Sequence, residues 1–241
     1  MVERDAWRWQ GRARGGVMGP IPGAREELDR LGRVLRAQLV ELIYDLAPGS
    51  DLRLLFLDEP RIVDWHEPLR HQYSAGCFVG KRRANVSGAA IASRAVVLLE
   101  SAGWECATSQ EDADGTPRIM VTGRHDGCSI EVRAIDHGPN VSFSGQTPAM
   151  ALYEPEEFQW PEPVRTAETV TAGFVLCYEC DGLGWCPGCG GRGWVHDETH
   201  GRKNCRECRR SRACVICRGA AQLAISDLST YQRGHYPELG L

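Results

Sequence analysis

Eight of the eleven cysteines of this 241-residue chain fall between Cys177 and Cys217 as four Cys-x-x-Cys pairs: Cys177/Cys180, Cys186/Cys189, Cys205/Cys208 and Cys214/Cys217. Such a turn aims two sulfurs at one point, and two turns together supply the four-thiolate tetrahedron on which a structural zinc ion closes. Eight ligands therefore predict two zinc ions. Each pair opens a nine-residue block, and the connections between pairs are five, fifteen and five residues, so the frame reads alike from either end. Disulfides are the competing chemistry, but they belong to oxidising compartments, and the chain shows no basic-then-apolar signal segment at its start. A thiol–disulfide oxidoreductase, a further alternative, uses one accessible reactive pair rather than four in tandem.

The first two blocks, Cys-Tyr-Glu-Cys-Asp-Gly-Leu-Gly-Trp and Cys-Pro-Gly-Cys-Gly-Gly-Arg-Gly-Trp, are near copies and both fit CxxCxGxG. Glycine at 182, 184, 191 and 193 allows positive φ and lets backbone amides turn toward the sulfurs. Block three has Arg210 and Arg212 at those positions, and block four keeps only Gly219. The stretch 177–222 resembles the cysteine-rich zinc domain of the DnaJ (Hsp40) chaperone family. That resemblance implies two zinc ions, with block one pairing with block four and block two with block three. It also implies a surface for an extended or unfolded polypeptide. No His-Pro-Asp J-domain signature occurs, so recruitment of an Hsp70 partner is not expected.

Spacing by itself leaves two pairings open. Nested pairing puts Cys177, Cys180, Cys214 and Cys217 on one ion and Cys186, Cys189, Cys205 and Cys208 on the other. Sequential pairing joins neighbouring blocks and requires a very tight loop across the five residues between Cys180 and Cys186. His196 and His200 lie in the fifteen-residue connection, but Cys189 to His196 is too short for a finger spacing, so they read as surface histidines.

Net charge is −4, yet residues 201–222 carry seven basic side chains against one acid, Glu207. Such a cluster points to nucleic acid through Arg206, Arg209, Arg210 and Arg212. Each four-thiolate zinc site brings a formal −2 of its own, so the same arginines could instead offset thiolate charge and donate to the sulfurs.

The rest of the chain must position this module. With 42% hydrophobic and 25% charged residues, the composition allows one ordinary domain beside a small metal module. The expected division is a disordered segment at 1–22, a domain at 23–150, an acidic proline-rich linker at 151–170, the two-zinc module at 171–222 and a tail at 223–241. The first segment holds Trp7 and Trp9 among arginines. The linker carries Tyr153, Phe158 and Trp160 and reads as a semi-rigid tether, with an internal lid on the basic half of the module as the alternative. No apolar run is long enough to span a membrane, and free cysteines with zinc thiolates point to a reducing cytoplasm. An excess of 26 arginines over two lysines suggests a GC-rich bacterial gene.

Leu28, Leu31, Leu35, Leu39, Leu42 and Leu46 step by three and four, predicting a helix over 24–47 stopped by Pro48-Gly49. Residues 52–57 read as a buried strand, and a second helix runs from a Ser87 cap to Gly103. Trp104–Thr108, Ile119–Thr122, Ser129–Ile135 and Val141–Ser144 then alternate between turn signals as an antiparallel four-strand meander. The predicted fold class is α+β: helices on a meander, followed by a zinc-ribbon-like hairpin module. Cys77, Cys106 and Cys128 read as small buried hydrophobes. Asp64, His66 and His71 are the nearest thing to a catalytic grouping but match no metal or catalytic spacing, and no phosphate-binding glycine motif is present. The expected function is a non-enzymatic zinc-binding protein-interaction module, chaperone-like or scaffolding. Nucleic-acid binding is the alternative.

Overall fold

The computed structural model describes residues 19–50, 52, 59–82, 86–113, 116–135 and 139–240, which group into two compact units that divide at Pro155/Glu156. The expectations for residues 1–18, and for all but Leu52 of the strand at 52–57, lie outside the described residues.

The first unit is α+β. Helix α1 (Ala24–Leu46) buries its leucine stripe, each of the six leucines being at most 3% exposed. Strands β1 (Arg61–Asp64), β2 (Arg70–Gln72) and β3 (Ser74–Lys81) follow, then α2 (Gly88–Ser101), whose Ser87 side chain accepts the N–H of Ala90 as the predicted cap. Strands β4 (Glu105–Ala113), β5 (Thr116–His125), β6 (Cys128–Ile135) and β7 (Asn140–Gln146) form the expected meander, and β8 (Met150–Ala151) closes the unit. Asp126 and Gly127, with φ of 48° and 74°, make the β5–β6 turn.

The sheet has five strands rather than four, in the antiparallel order β3-β7-β6-β5-β4. The additional strand, Ser-Ala-Gly-Cys-Phe-Val-Gly-Lys, precedes α2 and pairs with the last strand of the meander. Its two glycines dilute the strand signal in the sequence. Alternate residues Cys128, Ile130, Val132 and Ala134 of β6 are buried against the two helices, as period-two patterning requires. A small sheet, β1-β2-β8, stands apart from the large one. Residues 19–22 are tied in as well, with Ile21 N–H donating to the Leu152 carbonyl at 2.9 Å and Glu154 N–H to that of Gly19 at 3.0 Å.

The second unit has a different kind of interior. It contains two two-stranded ribbons, β9 (Phe174–Leu176) with β12 (Gln222–Ala224), and β10 (Trp194–Asp197) with β11 (Gly201–Asn204), plus one turn of helix α3 (Thr230–Arg233). The β10–β11 hairpin fills the fifteen-residue connection between the second and third cysteine pairs. The buried residues are chiefly the eight cysteines, none more than 7% exposed, and only a few partly buried aliphatics pack on them. Two stretches read from composition as linker and tail belong to this unit. Residues 156–170 lie along it, and Tyr236, 8% exposed, docks its hydroxyl between Leu176 O (2.5 Å) and Tyr178 N (3.0 Å).

Among the described residues, no helix is long and apolar enough to cross a membrane.

Candidate metal centre

The four blocks share one backbone. Counting from each first cysteine, the residues four, five and seven positions on all have left-handed φ. The fifth-position values are 78° at Gly182, 77° at Gly191, 72° at Arg210 and 94° at Gly219. At the seventh position they are 72° at Gly184, 81° at Gly193, 66° at Arg212 and 64° at Ala221. The departure of blocks three and four from CxxCxGxG is therefore one of side chain and not of conformation. Arg210, Arg212 and Ala221 hold a geometry that glycine takes without strain.

Hydrogen bonds join the blocks in the nested order. The N–H of Cys177 donates to Ala221 O (2.9 Å) and that of Cys214 to Gly184 O (2.9 Å); Cys186 N–H donates to Arg212 O (2.8 Å) and Cys205 N–H to Gly193 O (3.0 Å). Each first cysteine thus bonds the seventh-position carbonyl of its partner block. Trp185, the last residue of block one, and Ala213, the last of block three, add an isolated bridge.

This scaffold gathers the sulfurs into two groups, Cys177/Cys180/Cys214/Cys217 and Cys186/Cys189/Cys205/Cys208, in each of which all sulfurs lie within 4.8 Å of one another. Cross-block sulfur separations are 3.9 Å (Cys177–Cys214), 3.7 Å (Cys180–Cys217), 3.9 Å (Cys186–Cys205) and 3.8 Å (Cys189–Cys208). Four sulfurs set about 2.3 Å from a central zinc form a tetrahedron with edges of about 3.8 Å, so the donor set fits that ion. A disulfide would need about 2.0 Å, roughly half the observed separation. The two four-cysteine sites can thus hold two metal ions.

Backbone amides serve as the outer shell. Gly184 N–H points at Cys180 Sγ (3.3 Å), Gly193 N–H at Cys189 Sγ (3.2 Å) and Ala221 N–H at Cys217 Sγ (3.2 Å). Donors of this kind lower the energy of a thiolate without adding charge. Burial pushes the Cys180 thiol up, while the hydrogen bond from Cys177 holds Cys217 below the ordinary thiol range. One acid joins the inner site: a Glu207 carboxylate oxygen lies 3.4 Å from Cys186 Sγ, over Gly188.

Among the described residues, no arginine side chain has a hydrogen bond to sulfur, so thiolate compensation falls to the amides. Arg206, Arg209, Arg210, Arg212 and Arg218 are exposed and make no ion pair among the described residues. The other two arginines of the module, Arg192 and Arg202, are built in. Arg192 lies over the rings of Phe158 (4.0 Å) and Trp194 (4.7 Å), Arg202 covers Trp194 (4.2 Å), and Arg202 pairs with Glu156 at 3.0 Å. This stack holds residues 156–160 against block two, while Arg165 N–H bonds Gly182 O (3.0 Å) in block one. The tether reading of the sequence gave no sign that the glycine turn of block two is the platform for Phe158 and Trp160.

The expected surface histidines, His196 and His200, are exposed, and neither joins a sulfur group. In the first unit, Asp64 accepts from the backbone N–H (2.9 Å) and ring Nδ1 (2.6 Å) of His66, a local turn that lowers the Asp64 pKa. His71 lies instead beside Tyr153. Cys128 is buried and its thiol is pushed up to about 11 by that burial, and Cys106 is half-buried. The side chain of Cys77 lies outside the description.

Fold and site together define an α+β unit joined to a cysteine-rich unit organised around two four-cysteine centres. The chain matches no known family, no curated protein and no solved structure.

Proposed function

We propose that this chain is a non-enzymatic zinc protein of the DnaJ-like cysteine-rich kind, whose C-terminal unit is a metal-held interaction module for an extended polypeptide. The observation that carries the zinc reading is the pair of four-sulfur groups, each within 4.8 Å and with cross-block separations of 3.7–3.9 Å, in a unit with almost no other buried side chains. Zinc, when bound, supplies cross-links and no reaction; the eight cysteines would hold it, and the amides of Gly184, Gly193 and Ala221 would steady the thiolates. The polypeptide reading is supported by an open groove of about 540 Å³ beside the outer centre, where Phe174, Val175, Leu176, Tyr178 and Tyr236 share the lining with Asp181, His235 and Glu238. The apolar residues suit side chains of an unfolded segment, and the acidic and histidine groups beside them suit its backbone and polar groups.

The test is aggregation of a reduced, chemically unfolded model protein in the presence of the full chain, zinc-loaded or stripped by chelator. Delay of aggregation by the loaded form alone is expected, weakened by Phe174→Ala with metal content unchanged. A loaded chain that neither binds nor delays the client removes the polypeptide reading. Metal analysis judges the zinc reading separately.

A further inference from the structure

Four exposed arginines of the module stand on left-handed backbone: Arg209 (φ 48°), Arg210 (72°), Arg212 (66°) and Arg218 (52°). In blocks one and two the positions of Arg210 and Arg212 are glycines. An L side chain there costs on the order of 1 kcal/mol, and strain of this kind is tolerated where the side chain has a use. The use is not internal, since none of the four pairs with a carboxylate or donates to a sulfur among the described residues.

The glycine turn 190–193 brings two chemistries together. At its far end, a Cβ on Gly193 would lie 3.2 Å from the Arg212 side chain and 3.5 Å from Arg210 Cα. At its near end, the Gly190 position meets the rings of Phe158 and Trp160, the latter at 3.1 Å. Trp160 is edge-on to Phe158 (5.3 Å) and remains 62% exposed. Three Cα steps separate the two ends, at most about 11 Å. An exposed indole and a tract of unpaired guanidinium groups are thus set side by side on one rigid turn.

We propose that this turn, with Trp160 on one side and Arg209, Arg210 and Arg212 on the other, is a binding surface for single-stranded nucleic acid. The indole stacks on a base and the guanidinium groups take the adjoining phosphates. Guanidinium forks match phosphate oxygens two at a time, and aromatic rings accept any base face, which is the recipe for sequence-tolerant single-strand binding. A duplex would hide its base faces from Trp160. An acidic polypeptide would use the arginines but not the ring. The inference rests on the reading of the module as metal-held, and goes beyond it in naming a second partner on a surface distinct from the β9 groove.

The experiment is fluorescence anisotropy of a labelled oligouridine 20-mer titrated with the full zinc-loaded chain at low and near-physiological salt. Binding with a log–log salt slope of about −2, as three phosphate contacts to a single strand require, is expected. The triple variant Arg209→Gln/Arg210→Gly/Arg212→Gly relieves backbone strain, so it retains metal and fold; it should bind at least tenfold more weakly with a flatter slope. Trp160→Ala should weaken binding several-fold at both salts with the slope unchanged. Absence of binding at low salt, wild-type affinity in the triple variant, or equal affinity for polyglutamate would overturn the proposal. Metal content, measured on every sample, reports on the module itself: a chain without two ions per molecule fails the zinc reading and not the surface.

Discussion

Cys186 donates its backbone N–H to the carbonyl oxygen of Arg212 at 2.8 Å, although 26 positions separate them in sequence. This bond, with its three counterparts, fixes which cysteine pairs meet before any ion is considered. It makes Arg212 do in the third block what Gly193 does in the second.

Cysteine replacement should act by centre. Cys177→Ser is expected to release the outer ion and Cys186→Ser the inner one, each leaving a buried set of three sulfurs, with loss of the cooperative melt of the C-terminal unit. Metal quantification on purified chains checks this. Two ions retained in either variant would refute the ligand sets.

The left-handed positions give opposite predictions in the two halves of the module. Arg212→Gly and Ala221→Gly should each raise stability by about 0.5–1 kcal/mol by removing backbone strain. Gly182→Ala should do harm, because its Cβ would come within 2.1 Å of the Arg165 carbonyl oxygen, a backbone atom that cannot swing aside. We expect a loss above about 2 kcal/mol there, together with faster proteolysis in 156–170. Thermal melts of the zinc-loaded proteins decide the signs.

Acid should strip the metal. Burial raises the Cys180 thiol, whereas the hydrogen bond from Cys177 lowers Cys217. Metal requires both as thiolates and holds their pKa values below those of the free chain. The stability it contributes is therefore present at high pH and lost as pH falls and protons compete with the ion for the thiolates. A chromogenic chelator followed through a pH titration reads this directly. Metal content that does not fall with pH into strong acid would contradict it.

In the first unit, Phe143 on β7 is fully buried, with β3 on one side and β6 on the other. Phe143→Ala should cost about 3–5 kcal/mol, seen as a lower denaturation midpoint.

The sequence made legible whatever rests on periodic or punctuated local signals. The α1 leucine stripe, the Ser87 cap and the four meander strands were all readable, because each is set by its own residues. The ligands were readable too, since Cys-x-x-Cys is a local geometry. Strand β3 was not, because pairing with β7 rather than its own glycine-interrupted sequence stabilises it. The docking of 156–170 was equally hidden. Prolines and glutamates argue for a tether, and only the stack of Phe158, Arg192 and Trp194 turns that extended chain into part of the module. Arg210 and Arg212 concealed the repeat of the backbone in block three, since its conformation is tied there by two bonds to block two and not by residue type.

The nesting of one centre inside the other also gives metal assembly a direction. The inner sulfurs close a loop of fifteen residues, but for a free chain the outer ones must close thirty-three. Once the inner ion is in place, only two five-residue connections remain to be ordered, which lowers the closure entropy by roughly 1 kcal/mol. Assembly therefore runs from the hairpin tip toward the base. A chain short of metal would then stand halfway, with the inner centre closed and the β9 groove beside the outer one not yet formed, so on the proposed reading metal supply would decide which of the module's surfaces exists.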